Sequence, residues 1–129
     1  MGIKYLWDTN ICIYYLQQQF PKDAEQFIDS VLKEAVPCIS AITEIELLCW
    51  KTATDRDQEL LGKFIENCIV VELDRGIKLQ TAAIRKTHKI KLPDAIIAAT
   101  ALEGRYTLLT RNISDFKNIS DIRLRDPWA

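Results

Sequence analysis

Short apolar runs alternate along the chain with longer segments in which apolar residues recur every three or four positions. The short runs predict strands, and they are 3–7, 36–39, 69–73, 106–109 and, more weakly, 122–124. The longer segments predict amphipathic helices, and they are 11–19, 23–35, 41–51, 55–68 and 75–91. Strands separated by helices predict one α/β domain over residues 1–129, with a mainly parallel sheet of four to five strands and helices on both faces.

The segment 92–102 is apolar on every side and predicts a helix buried inside the domain, since it is too short to span a bilayer. Pro93 suits the first helical position, where its missing N–H needs no partner. Asp94 then lies in the first turn, where the helix dipole favours an anion. Gly104 is expected to follow the helix as its C′ residue.

Charge and composition limit the classes of function. The 129 residues include 17 basic and 18 acidic side chains, so the formal net charge is −1. The chain therefore lacks the overall basicity of a non-specific nucleic-acid binder, and a polyanionic partner would need a local basic patch or a metal ion. No leader or membrane-spanning pattern is recognisable, so a cytoplasmic location is expected.

The cysteines are predicted to be reduced core residues, because each has an apolar neighbour and none forms a C-x-x-C pair. A disulfide or a zinc site is the less favoured alternative. The four positions are Cys12, Cys38, Cys49 and Cys68.

Acidic residues are placed where they could meet at one edge of a parallel sheet. Asp8 ends the first predicted strand, Asp94 begins the buried helix, and Asp115 lies in the loop after the fourth strand. Glu44 and Glu46 lie on the helix that leaves the second strand. Because sites in open parallel sheets form outside the carboxyl ends of the strands, three or four of these acids could converge there.

Such a convergence has a chemical requirement. Two carboxylates about 4 Å apart repel by roughly 1 kcal/mol in water and about 4 kcal/mol at an effective dielectric near 20. They need protonation, a cationic side chain or a metal ion to remain together. Because His88 is the only histidine and lies outside these motifs, an all-oxygen site for Mg²⁺ or Mn²⁺ is favoured over zinc. The corresponding chemistry is metal-assisted phosphodiester hydrolysis.

Each acid also has an ordinary structural alternative. Asp8 and Asp94 could stabilise helix starts, and Asp115 could be an Asx-turn residue. Glu44 and Glu46 could both be solvated, and helical spacing does not choose between them, because they flank the apolar stripe of their helix on opposite sides.

Four segments, in order and at the expected distances, resemble the PIN-domain family, most closely its VapC-type toxins. They are LWDTN at 6–10, ISAITEIEL at 39–47, KLPDAIIAATA at 91–101 and LLTRNISDF at 108–116. The resemblance implies a PIN-like three-layer α/β/α sandwich. The family's S-x-x-T-x-x-E pattern, matched by Ser40, Thr43 and Glu46, implies that Glu46 is the active-site acid and Glu44 an accessory.

The same resemblance implies roles for seven residues. The catalytic and metal-binding acids would be Asp8, Glu46, Asp94 and Asp115. Thr110 and Asn112 would position this cluster or contact a phosphate, and Asn10 would support Asp8. The implied protein is a Mg²⁺- or Mn²⁺-dependent endoribonuclease that hydrolyses RNA with a metal-activated water. It would act as the toxin of a toxin–antitoxin pair on tRNA or rRNA, would form a homodimer, and would be inhibited by a VapB-type antitoxin.

Three other functions stay open at this point. A haloacid-dehalogenase-like phosphohydrolase would use Asp8 as a nucleophile, but it usually has a second Asp where this chain has Asn10. A receiver-type signalling domain would need adjacent acids after the first strand. A PIN fold that binds RNA or a partner without cutting is the third.

Two further features have more than one interpretation. Six basic residues between Arg75 and Lys91, with no acid among them, could bind nucleic acid, be a solvated helix face or contact an acidic antitoxin segment. For Trp7 and Trp50, packing in the core or a dimer interface is favoured over base stacking, and Trp128 is undecided.

Overall fold

The computed structural model describes residues 2–129, which form a five-stranded sheet. The strands are β1 (Tyr5–Trp7), β2 (Cys38–Ser40), β3 (Ile69–Val71), β4 (Thr107–Leu109) and β5 (Arg123–Arg125). Their order across the sheet is β3-β2-β1-β4-β5, and all neighbouring pairs are parallel. The predicted sheet is therefore confirmed, and the weak fifth run is a strand.

Helices cover both faces of this sheet. They are α1 (Thr9–Leu16), α2 (Lys22–Glu34), α3 (Ala41–Leu48), α4 (Asp55–Asn67), α5 (Arg75–Thr87), α6 (Leu92–Gly104) and α7 (Ile113–Phe116). Because side chains alternate along a strand, Leu6 and Leu108 join a core with α5 and α6, whereas Trp7 and Leu109 join a second core with α1, α2 and α4. This arrangement is the expected three-layer α/β/α sandwich.

Helix α6 is the buried helix predicted from its composition. Six of its residues are buried, and Asp94 lies in its first turn, with Pro93 one position later than expected. The expectation for Gly104 is wrong, because Gly104 is the last helical residue and Arg105 is the left-handed one, with φ of 57°. Glycine relieves crowding here instead, since a Cβ atom at position 104 would lie 2.6 Å from Tyr106 Cδ2 and the tyrosine ring would have to shift.

Several elements end earlier than their apolar patterns predict. Helix α1 ends at Leu16, shortly before Gln18 adopts a left-handed conformation. Helix α5 ends at Thr87, because His88 is extended and its Nε2 lies 3.1 Å from the carbonyl oxygen of Asn118. The loop after β4, expected to contain Asp115, includes the short helix α7 that was not predicted.

The cysteines are all free, as expected, but they are not all core residues. Cys12 is buried and Cys49 is exposed at the end of α3, which corrects the expectation for Cys49. Of the tryptophans, Trp7 is a core residue, whereas Trp50 and Trp128 are partly exposed. Across residues 2–129, none of the helices has the length and apolar character needed to cross a bilayer.

Candidate active site

Three neighbouring strands end in buried polar residues. Asp8 follows β1, Ser40 is the last residue of β2, and Thr110 follows β4, and each is at most 4% exposed. Because these strands are parallel and adjacent, the three side chains lie at the same edge of the sheet. Burying a polar group costs free energy unless it is hydrogen-bonded, so the partners of these residues define the site.

Asp8 is fixed by hydrogen bonds to both carboxylate oxygens. Oδ1 accepts from the backbone N–H of Thr9 at 2.8 Å, which makes Asp8 the N-cap of α1. Oδ2 accepts from the Thr110 hydroxyl at 2.7 Å. The backbone N–H of Asp8 donates to the carbonyl of Leu109 at 2.9 Å, so β4 holds both the main chain and the side chain. Asp8 is thus a helix cap that also lies in the candidate site, so the two interpretations are compatible.

The charge of Asp8 is destabilised in this position. Burial raises the pKa of Asp8 from 3.8 to about 6, although the hydrogen bonds from Thr110 and Thr9 lower it. The negative charges of Asp94 and Glu46 raise the pKa of Asp8 further. A carboxyl group in this environment is stabilised in its ionised form by a nearby cation.

Glu46 is held at this site by a row of hydroxyl groups. Thr9 Oγ1 donates to Glu46 Oε1 at 2.7 Å and lies 3.0 Å from Thr43 Oγ1. Ser40 caps α3, since its Oγ accepts from the Thr43 N–H at 3.0 Å and donates to the Thr43 hydroxyl at 3.1 Å. The row therefore ties the start of α1 to the start of α3. Thr9 is not among the site residues predicted from the sequence, and its position beside Asp8 was the available signal.

The structure separates the two glutamates that helical spacing left undecided. The charge of Glu46 raises the pKa of Asp8 and of Asp94. The charge of Glu44 instead raises the pKa of Cys68, which precedes β3. Glu46 is thus the glutamate that lies with the aspartates, and its role as an active-site acid stays a prediction.

Asp94 and Asp115 extend the acidic group towards solvent. Burial raises the pKa of Asp94, the charges of Asp115 and Glu46 raise it further, and Lys91 lowers it. Asp94 is partly exposed, and Asp115 is exposed on α7. The four predicted acids therefore form a graded group, in which Asp8 is the most buried and Asp115 lies at the rim beside Asp94.

The three supporting residues differ in their contacts. The Thr110 hydroxyl donates to Asp8 Oδ2 and accepts from the backbone N–H of Asn112 at 2.9 Å. Asn112 is exposed and contributes only this backbone contact to the candidate site. Asn10 makes no hydrogen bond to Asp8 within residues 2–129. Its Oδ1 is buried without a partner there, and its supporting role stays a prediction.

The donor atoms fit a hard divalent cation. Within the described chain, no three His, Cys, Asp or Glu side chains are grouped as a ready-made metal cage. Mg²⁺ usually binds through one or two carboxylates and keeps several waters, so an open acidic group suits it. All the candidate ligand atoms are oxygens. They are the carboxylate oxygens of Asp8, Asp94 and Glu46, whose charges act on one another, and the Asn10 amide oxygen, which has no hydrogen-bond partner within residues 2–129. These residues therefore fit Mg²⁺ or Mn²⁺ better than zinc.

The basic stretch begins on α5 and ends beside this site. Its six basic side chains are exposed, and they are Arg75, Lys78, Arg85, Lys86, Lys89 and Lys91. Lys91 lies close enough to Asp94 to lower its pKa. The C-terminal end of the stretch thus adds positive charge at the rim of the acidic group.

Comparisons with known proteins agree with this architecture. The chain is 28% identical to the tRNA(fMet)-specific endonuclease VapC of Salmonella typhimurium, over 98% of this chain and 99% of that protein. It is similar to a DNA-bound VapBC crystal structure from Salmonella typhimurium, with a TM-score of 0.81, 27% identity and coverage of 98% and 99% of the two chains.

A toxin–antitoxin complex from Klebsiella pneumoniae contains a further similar chain. The TM-score is 0.75 at 30% identity, over 96% of this chain and 98% of that one. The PIN domain family model matches residues 5–122, a span that includes the four acids of the site. The chain therefore belongs to the PIN domain family.

Proposed function

We propose that this protein is a metal-dependent endoribonuclease that acts as the toxin of a toxin–antitoxin pair. The family membership and the similarity to a tRNA(fMet)-specific endonuclease support RNA as the substrate, with tRNA as the favoured class. The similarity to a chain in a toxin–antitoxin complex supports the biological role. Membership of the PIN family gives no support to the two alternatives outside it, the haloacid-dehalogenase-like phosphohydrolase and the receiver-type signalling domain.

The observation that carries this proposal is the buried, charge-crowded carboxyl group of Asp8. Its pKa is raised to about 6 by burial and by the neighbouring acids Asp94 and Glu46. A fold gains nothing in stability from such crowding. Perturbed carboxyl groups that converge in this way are typical of catalytic and metal-binding sites.

Each acid has a role in the proposed reaction. Asp8 and Asp94 would be the principal ligands for Mg²⁺ or Mn²⁺, and Glu46 and Asp115 would complete the site directly or through water. The bound ion would orient the phosphate, favour ionisation of the attacking water and offset charge on the leaving oxygen. Thr110 holds Asp8 and Thr9 holds Glu46 in fixed orientations.

The bond changes follow from phosphodiester hydrolysis. A water oxygen attacks the phosphorus in line with the departing 3′ oxygen, and the P–O3′ bond breaks. The water loses a proton and the 3′ oxygen gains one, so the products carry a 5′-phosphate and a 3′-hydroxyl. The acidic group of this chain serves to position the reacting atoms and to stabilise the charge that develops.

Substitution of Asp94 tests this function. Asp94→Asn keeps the size of the side chain and removes the charge, and we expect cleavage of a tRNA mixture in Mg²⁺ or Mn²⁺ to fall at least about 100-fold. Asp23→Asn is a matched control, because Asp23 also lies in the first turn of a helix but is exposed on α2. EDTA should abolish cleavage by the parent protein. Cleavage that survives both EDTA and Asp94→Asn would show that the proposed site is wrong, and an intact protein that binds RNA without cutting would favour the non-catalytic alternative.

A VapB-type antitoxin is the proposed protein partner. Expression with the adjacent open reading frame should relieve growth inhibition, and the two proteins should purify together. The Asp94→Asn protein should lose toxicity and still purify with the partner, because its surface is otherwise unchanged. Toxicity that persists in this variant would separate growth inhibition from the acidic site.

A homodimer stays part of the proposal. Two apolar residues of α3, Ile45 and Leu48, are 53% and 62% exposed, which is consistent with a surface that a second copy covers. Light scattering of the purified protein measures the mass directly, and a monomeric mass at micromolar concentration would contradict the dimer.

A further inference from the structure

Arg111 lies between two residues of the candidate site. Its neighbour Thr110 donates to Asp8, and its other neighbour, Asn112, donates a backbone hydrogen bond to the Thr110 hydroxyl at 2.9 Å. These contacts fix the backbone on both sides of Arg111 relative to Asp8. The Arg111 residue itself is exposed, so it projects from the immediate border of the acidic group.

The guanidinium group of Arg111 is supported by an aromatic ring. Its central carbon lies 4.0 Å from the centre of the Trp128 ring, which is the geometry of a cation–π contact. Trp128 is held in turn by Tyr14 and Phe20, with ring centres 4.9 Å and 5.3 Å away. The backbone N–H of Trp128 also donates to Asp126 Oδ1 at 2.9 Å, which fixes the main chain that carries the ring. The tryptophan is therefore a fixed platform rather than a loose terminal residue.

The charge of Arg111 is not neutralised by the nearby acids. Among residues 2–129, the only Lys or Arg nitrogen within 4.0 Å of a carboxylate oxygen belongs to the pair Lys63–Glu59. Arg111 therefore lies next to an acidic site without pairing with it. Stacking leaves the N–H groups at the edge of a guanidinium available, and their fork geometry matches a phosphate.

We propose that Arg111, oriented by Trp128, binds a phosphate of the RNA substrate next to the bond that is cut. This inference rests on the proposed ribonuclease function and assigns a substrate-binding residue to it. Arg111 contacts the substrate, whereas Trp128 is a positioning residue that acts through Arg111. The net charge of −1 gives the protein no general attraction for RNA, so an unpaired cation at the border of the acids supplies a local one.

Binding of a short fluorescein-labelled single-stranded RNA, followed by anisotropy in Mg²⁺, tests this assignment. The Asp94→Asn background prevents cleavage during the measurement. Arg111→Gln should weaken binding about tenfold, and the slope of log K against log[salt] should become shallower by about 0.7, the value for one phosphate contact on a single strand. Arg111→Lys should retain the salt slope and recover part of the affinity.

Variants of Trp128 separate positioning from simple packing. Trp128→Leu keeps an apolar side chain against Tyr14 and Phe20 but removes the aromatic face, and it should weaken binding several-fold. Trp128→Phe restores a face and should recover most of the affinity. In the cleaving protein, Arg111→Gln should raise KM with kcat changed less than about twofold, because it removes binding that is equal in the ground and transition states.

Lys4→Gln is the matched control. Lys4 is an exposed cation that also lies over an aromatic ring, 4.9 Å from the centre of Tyr106, but it precedes β1 at the opposite edge of the sheet. Its loss should leave RNA binding unchanged. Equal weakening by Lys4→Gln and Arg111→Gln would show an effect of net charge alone and would overturn the assignment.

Other outcomes also overturn the proposal. Unchanged affinity and salt slope in Arg111→Gln would exclude a phosphate contact at this residue. If RNA binding is unchanged but co-purification with the antitoxin is lost, Arg111 belongs to a protein interface. The Asp94→Asn cleavage assay reports separately on the ribonuclease function, so failure of Arg111 with a working Asp94 site refutes only this inference.

Discussion

The two edges of the sheet differ in the kind of side chain that lines them. At the carboxyl edge, Asp8 and Thr110 are buried and hydrogen-bonded to each other across neighbouring strands. At the amino edge, Gly104 packs against the Tyr106 ring, and a mainly apolar groove of about 790 Å³, open to solvent, lies between the strand starts and Phe27 of α2. The carboxyl edge brings together carboxylates that repel one another, whereas the amino edge is mainly apolar. The comparison indicates that buried charge is confined to the carboxyl ends of the strands, where it lowers the stability of the fold.

The buried threonines also fall into two kinds, which differ in the partners of their hydroxyl groups. Thr110 and Thr43 bond to side chains of other elements or of the helix cap, and they organise the acidic edge. Thr81 and Thr100 instead donate to carbonyls four residues earlier in their own helices, at 2.7 Å each. Burial of a hydroxyl is therefore not itself a sign of function, because what matters is which element it reaches.

The largest expected effect on stability comes from the pH dependence at Asp8. Its pKa is about 6 in the folded protein and 3.8 ordinarily, so between these pH values the folded state binds a proton that the unfolded chain releases. Stability therefore falls as pH rises through this window, by about 3 kcal/mol for this group. Urea unfolding of the protein in EDTA at a series of pH values measures the change.

Asp8→Asn sharpens this test, because it removes the titrating group. The slope through pH 4 to 6 should become shallower and retain only the contribution of other carboxyl groups such as Asp94, whose pKa is also raised. Divalent cations should stabilise the parent protein at neutral pH more than the variant. An unchanged slope would mean that the carboxyl edge does not carry the predicted electrostatic cost.

A smaller effect is expected from Thr110→Val, which preserves shape and removes the hydroxyl. Asp8 Oδ2 and the Asn112 N–H then lose a partner, and the free energy of unfolding should fall by about 2 kcal/mol. Thr100→Val is the control, since its hydroxyl bonds only to the Ile96 carbonyl of its own helix. This control should change stability by less than about 0.5 kcal/mol. Equal losses in the two variants would remove the distinction between the two kinds of threonine.

The smallest effect is expected at the amino edge, from Gly104→Ala. The new Cβ atom would overlap the Tyr106 ring, and the partly exposed ring can move, so a loss of roughly 1 kcal/mol is expected in thermal unfolding. RNA cleavage should be unchanged. Gly62→Ala is the matched control, because nothing lies within 4 Å of its Cβ position, and helix propensity should stabilise α4 by about 0.5–1 kcal/mol. Loss of cleavage in Gly104→Ala would show that the two edges are coupled.

The pattern of apolar residues was sufficient to predict the order of the elements and the parallel sheet. Each strand and long helix has a local period that depends only on its own sequence. Boundaries were less predictable, since the end of α5 depends on a contact between His88 and Asn118, 30 residues away. Helix α7 has four residues, too few for a hydrophobic period to show.

The acids were predictable as a set, but the groups that hold them were not. Thr110 and Asp8 are 102 positions apart, and Thr9 and Glu46 are 37 apart, so no local pattern relates them. The choice of Glu46 over Glu44 depended on family resemblance until the structure placed Thr9 beside Glu46. The pairing of Arg111 with Trp128 has no sequence signal, because it depends on how β5 returns the chain to the border of the site.

The scarcity of ion pairs has a practical consequence for handling the protein. Of 17 basic and 18 acidic residues, the part of the chain from 2 to 129 forms one pair, between exposed Lys63 and Glu59 at 3.7 Å. Concentrated sodium chloride thus has few attractive contacts to screen within the fold. A high-salt wash should strip adhering nucleic acid from the purified protein and leave its melting temperature almost unaltered.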